Sequence, residues 1–176
     1  RKLRVVLDTT NILGRGAVKD TYNLLTDGIR QLMRALAEAE GMDVKEWGPG
    51  QGLERYLAPS IKGGADVDWD DEAARREFLH GIVSDAERLL SMGGEAQAQR
   101  PEGNEQGERI EGAGALLRQL IRQDVERVEE GSTLKEGVAR DRIVSVHDPE
   151  MRHGRKSKSK RFEGHKTAIA VDTESQ

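Results

Sequence analysis

The chain contains no cysteine, so neither a disulfide framework nor a thiolate metal site can form. Aromatic residues are scarce, with two Trp, two Tyr and two Phe among 176 residues. A core built from this composition is packed by aliphatic and small side chains, which favours a helical or extended arrangement. No apolar run approaches the roughly 18 residues needed to cross a bilayer, and no signal-peptide pattern opens the chain. These absences predict a soluble, cytoplasmic protein.

Charge, by contrast, is abundant and unevenly placed. Charged residues make up 34% of the chain against 35% apolar, and the net charge is −4. The stretch 151–166, "MRHGRKSKSKRFEGHK", holds seven Lys or Arg against the single Glu163. An acidic body with one basic segment bears on nucleic-acid binding more directly than the overall charge does.

Hydrophobic periodicity divides the chain. Leu3 to Leu7 reads as a short buried strand rich in β-branched residues, broken by Gly14 and Gly16. From Ala17 to Ala39, Tyr22, Leu25, Ile29, Leu32, Met33 and Leu36 recur at helical spacing, and Gly41 supplies a stop. The Gly- and Pro-broken stretch that follows predicts an irregular connector packed locally around Trp47, Tyr56 and Trp69. Asp70 or Asp71 caps a second helix running to Met92, with Phe78, Leu79, Ile82, Val83, Ala86 and Leu89 on one face. Residues 93–112 are polar and Gly-rich and read as a flexible linker. A third helix is expected over Ala113 to Glu129, then strands at Arg142–Val146 and over "HKTAIAVDT". The helical stripes read as core faces, with a homodimer surface as the lesser use.

The opening "RKLRVVLDTTNILG" sets a physical problem: an apolar run delivers Asp8 into a cluster of Thr9, Thr10 and Asn11. A carboxylate beside buried residues is costly unless something pairs with it. Taken alone, Asp8 reads as a strand-terminal Asx turn. The basic segment taken alone reads as a solvated loop. His147, His153 and His165 have no metal-ligand spacing.

Together, "VVLDTTN", "DRIVSVHDPEMRHGRKSKSKRFEGHK" and "TAIAVDTESQ", in this order, resemble the DDE transposases of bacterial insertion sequences. The likeness covers "DTTNILGRGAVKDTYNLLTDGIRQL" and all of Asp141 to Gln176. It implies a mixed α/β fold, a partial ribonuclease-H-like sheet with a large, mainly helical insertion between the first and second strands. On this reading 1–14 is the first catalytic strand and 15–140 the insertion. Residues 141–176 form the second part of the sheet and carry the basic segment 151–166.

In such enzymes two Asp and a Glu hold two divalent cations, Mg²⁺ or Mn²⁺, the cations suited to hard oxygen ligands. Asp8 matches the first Asp, as catalytic residue and metal ligand, and Thr9, Thr10 and Asn11 support it by hydrogen bonding. Asp172 follows a strand, but on the family's pattern it lies in the turn after the second strand and holds no metal. The other two carboxylates are then expected beyond Gln176, so that this chain alone does not assemble the active site. Arg152, Arg155, Lys156, Lys158, Lys160, Arg161 and Lys166 are the expected contacts to DNA, at transposon ends and target. With only Phe162 nearby to stack on a base, these are phosphate contacts and carry little sequence readout. A transposase acting on the nucleoid is the expected setting. Two other readings stay open: a non-catalytic DNA-binding remnant, and a phosphohydrolase with Asp8 as nucleophile. Thr10, standing where a second Asp is usual, counts against the latter.

Overall fold

The computed structural model describes residues 5–13, 19–129, 131–137, 139, 141–155 and 161–172. Side chains are described for 19–129, 131–137, 139, 141–152, 164 and 165. The protein mixes α and β structure and is mostly helical. It forms two compact units, Lys19–Arg140, and Arg1–Val18 with Asp141–Gln176.

The larger unit is built on three long helices. Helix α1 spans Thr21–Ala39 and begins at Asp20, whose side chain accepts the backbone N–H of Asn23 at 3.2 Å. The short α2, Val44–Gly50, is capped by Asp43, and a single 3₁₀ turn follows at Glu54–Leu57. Helix α3, Glu72–Ala98, is capped by Asp71, and α4, Glu105–Asp124, by Asn104. Leu25, Ile29, Leu32 and Leu36 of α1, Ile82, Val83 and Leu89 of α3, and Leu117 and Leu120 of α4 are buried. Helices α1 and α4 come close at Gly28, where an added Cβ would stand 2.8 Å from Leu120 Cδ1 and 3.1 Å from Leu117 Cδ1.

The expected linker at 93–112 is corrected. Helix α3 continues through Gly93 and Gly94, and α4 starts eight residues before Ala113, leaving only Gln99–Asn104 between them. Glycine in a helix interior costs about 1 kcal/mol relative to alanine. Gly93 is held by packing instead, its Cβ position being 3.5 Å from both Ile110 and Leu32. Composition flagged a loop; tertiary contact made a helix.

At its other end α4 stops earlier than expected. Val125–Val128 forms strand β2, which pairs antiparallel with β3, Gly131–Leu134. Val125 and Val128 fit a helical stripe by spacing, but β-branched side chains favour the strand that the turn at Gly131 (φ +123°) makes available. Strand β3 packs on α3.

The predicted connector is more ordered than its Gly and Pro content suggests. Trp47 and Tyr56 are fully buried, whereas Trp69 stands edge-on to Tyr22 and Phe78, with centroids 5.6 and 5.5 Å away. Asp27, buried on α1, pairs with Lys19 at 2.5 Å and with Arg30 at 3.2 Å. Arg30 in turn donates to the carbonyls of Tyr56 and Ala58, tying the connector to α1. Neither role was visible from spacing.

The smaller unit holds a three-stranded antiparallel sheet in the order β1-β5-β4, with β1 at Val5–Leu13, β4 at Arg152–Arg155 and β5 at Arg161–Asp172. Two expectations change here. Strand β1 does not end at Leu7 but runs through the polar cluster to Leu13, because all nine of its residues find partners on β5. Arg142–Val146 forms no strand; Ile143, Val144 and Val146 are buried without a ladder, a state whose composition matches that of a strand.

Candidate functional site

The ladder between β1 and β5 decides where the candidate residues stand. Asp8 lies opposite Ile169 in mid-strand, between the pairs Leu7–Ala170 and Thr9–Ala168. It is therefore not at a strand tip, and the local Asx-turn reading is replaced by a regular ladder.

Successive strand residues alternate between faces, so contiguity in sequence is not proximity in the sheet. Pleat alternation places Asp8 with Thr10 on one face, and Thr9 with Asn11 on the other. Of the three residues expected to support Asp8, only Thr10 shares its face.

The basic candidates divide in the same way. Arg155 stands opposite Arg161 in the β4–β5 ladder, Arg152 opposite Gly164, and Lys166 opposite Asn11. By register, Arg155 and Arg161 belong to the face of Asp8, and Arg152 and Lys166 to the reverse. Arg152 Nη1 also donates to the carbonyl of Met151 at 3.0 Å and to that of Pro149. Lys156, Lys158 and Lys160 lie outside the described residues.

Two arginines directly opposite each other on neighbouring strands repel and destabilise the pair.

One pairing was not foreseen. His165 Nε2 lies 2.9 Å from Asp148 Oδ2, both partly buried, joining β5 to the loop that precedes β4. Seventeen residues separate them, and no periodic pattern links a loop Asp to a strand His. The bond fixes one ring nitrogen of His165 and leaves the residue on the same face, by register, as Asp8 and Thr10.

A carboxylate such as that of Asp8 is the donor type that Mg²⁺ or Mn²⁺ takes. Among the described residues no three His, Asp or Glu side chains gather as a metal site would need.

The larger unit carries a second polar cluster, around Tyr56. Its hydroxyl donates to Asp85 at 2.8 Å and accepts from Arg55 at 2.7 Å. Burial pushes the Tyr56 phenol well above the usual tyrosine range, Arg55 opposing and Asp85 adding to the shift. Tyr22 is raised too, first by burial, with Arg75 lowering and Asp20 raising it. A phenol held protonated is a hydrogen-bond donor and not a nucleophile, so the Tyr56 cluster is read as structural.

Among the described residues no helix is long and apolar enough to cross a membrane. Comparison of the chain with protein-family models, curated proteins and solved structures gives no match.

Proposed function

We propose that this chain is part of the catalytic domain of a DDE-type DNA transposase, with a ribonuclease-H-like sheet and Asp8 as its first catalytic carboxylate. One observation supports the reading above others. The two stretches that carry the resemblance, "VVLDTTN" and "GHKTAIAVD", lie some 150 residues apart yet pair residue by residue, Val5 with Asp172 through Leu13 with Gly164. The strand bearing Asp8 thereby gains β5 as its immediate antiparallel neighbour, and the basic hairpin leads directly into that neighbour.

On this reading Asp8 would be one oxygen ligand of Mg²⁺ or Mn²⁺. Bound metal supplies activation of water or a DNA 3′-hydroxyl and stabilisation of the leaving oxygen. The chain's own contribution is positional: β1 and β5 hold Asp8 in a regular ladder, while the β4–β5 hairpin presents cations to the DNA backbone. These cations neutralise phosphates and release counterions, which makes binding salt-dependent and largely indifferent to sequence.

The test has two arms. Replacing Arg155, Lys156, Lys158 and Lys160 together by Gln is expected to weaken duplex binding and flatten its salt dependence. Unchanged affinity and slope would remove the DNA-contact role. Separately, Asp8→Asn in the protein is expected to abolish Mg²⁺-dependent strand cleavage while leaving DNA binding in place. Cleavage that survives the substitution would sink the catalytic assignment.

A further inference from the structure

Three of the chain's four histidines, His147, His153 and His165, fall in the smaller unit. Spacing along the chain gives no ligand pattern, since His153 and His165 stand twelve residues apart. The antiparallel pairing of β4 with β5 brings their positions together. His153 lies directly opposite Glu163, and His165 is the next residue but one along β5. Gly164, between these two, pairs with Leu13 on one side and Arg152 on the other, so both ladders run through it without a bulge. Pleat alternation then places His153, Glu163 and His165 on one face, as neighbours.

Of these three side chains, that of His165 is described, and it is held as a metal-binding histidine is held. Its Nε2 lies 2.9 Å from Asp148 Oδ2, both side chains being partly buried. A histidine that ligates a metal through one ring nitrogen donates the other N–H to a carboxylate or carbonyl, which fixes the tautomer, orients the ring and raises its basicity. With Nε2–H given to Asp148, the neutral ring carries its lone pair on Nδ1. Asp148 belongs to the loop before β4, so the contact is no by-product of strand pairing.

We propose that His153, Glu163 and His165 bind a divalent transition cation of the Zn²⁺ class, with Asp148 as the carboxylate that positions His165. Directly opposite residues hold their Cβ atoms about 5 Å apart and next-but-one residues about 7 Å, separations that three ligands to one ion can span. Two imidazoles and one carboxylate suit a borderline cation, whereas Mg²⁺ takes oxygen ligands. Three protein ligands leave the fourth tetrahedral position to water or to a further ligand. Asp8 pairs with Ile169, four residues from His165 along β5, or about 13 Å in an extended strand, too far to share the ion. The site therefore stands whether or not the transposase reading does. Arg155 and Arg161, the next pair along the ladder on this face, offer Glu163 an ion pair as its competing use. An ion pair needs no metal, so metal binding separates the two.

The test is a titration of the whole, untagged chain with Zn²⁺, followed by calorimetry, and with Co²⁺, followed by visible absorption. One ion per chain is expected to bind saturably, with the intense visible bands of low-coordinate Co²⁺, and excess Mg²⁺ should leave those bands in place. His153→Ala and His165→Ala are each expected to remove the bands and to weaken Zn²⁺ binding at least about tenfold, and Asp148→Asn to weaken it about 10–100-fold. His80→Ala, on α3 in the larger unit, should change neither reading. If His165→Ala disturbs the sheet, as read by circular dichroism, His153→Ala and Glu163→Gln carry the test. Absence of saturable Zn²⁺ binding overturns the proposal, as does binding that His153→Ala and Glu163→Gln leave unchanged.

Discussion

Arg155 and Arg161 occupy directly opposite positions in the ladder between β4 and β5. Like charges directly opposite each other on neighbouring strands are destabilising. Arg155→Thr should therefore raise the stability of the DNA-free protein by a few tenths of a kcal/mol, while lowering the salt slope of DNA binding by about one phosphate contact. Urea unfolding and binding isotherms at several salt concentrations check the two signs. Movement of both quantities in the same direction would show that repulsion is not what these arginines contribute.

A second prediction concerns the seam between α1 and α4. In an exposed helix Gly→Ala gains about 1 kcal/mol, but at Gly28 the new Cβ would meet Leu120 and Leu117, both fully buried. Overpacking a core costs roughly 1–3 kcal/mol. Gly28→Ala is expected to lower stability, read as a reduced urea midpoint with an unchanged m-value. An increase would mean that the two leucines repack freely.

The tyrosines give a pH prediction. Both phenols, Tyr22 and Tyr56, are raised above the ordinary value of 10.0, chiefly by burial, and the chain has no other tyrosine. The native absorbance titration should lie wholly above that of the urea-unfolded chain. The sign for stability follows: above about pH 10 the unfolded chain releases protons that the folded one keeps. The contribution of these groups is complete below that pH and is lost as pH rises toward the folded values. Tyr56→Phe should make the alkaline decline shallower, while costing about 1 kcal/mol at neutral pH for the lost bond to Asp85. A native titration that overlays the unfolded one would contradict the burial of both rings.

The start of α4 can be tested through its cap. Asn104 accepts the N–H of Gly107 at 3.0 Å. Asn104→Ala should cost about 1 kcal/mol and speed hydrogen exchange at residues 106–112 selectively. If those amides exchange freely in the parent protein, they belong to the linker that the composition suggested.

Periodicity and capping determined much of this architecture without coordinates. The stripes of α1 and α3 follow from spacing that a helix alone can use, the sequence offered Asp70 or Asp71 as the cap of α3 and the structure uses Asp71, and alternation in "HKTAIAVDT" marked β5. Gly93 and Gly94 misled because helix propensity is a weak local term, outweighed once Gly93 packs against Ile110 and Leu32. Val125 and Val128 misled because helical spacing and β-branching pointed in opposite directions.

At the candidate site the division is sharper. Sequence order singled out Asp8 and the basic segment as the residues bearing chemistry. Which of their neighbours share a face was decided only by the register with β5, since each step along a strand reverses the side: Thr10 accompanies Asp8, whereas Thr9 and Asn11 do not. The His165–Asp148 bond, the buried Asp27 held between Lys19 and Arg30, and the cavity shared by Arg75 and Ser132 join residues from separate elements. Local rules act over three or four residues, and contacts of that kind exist only after helices and strands have packed.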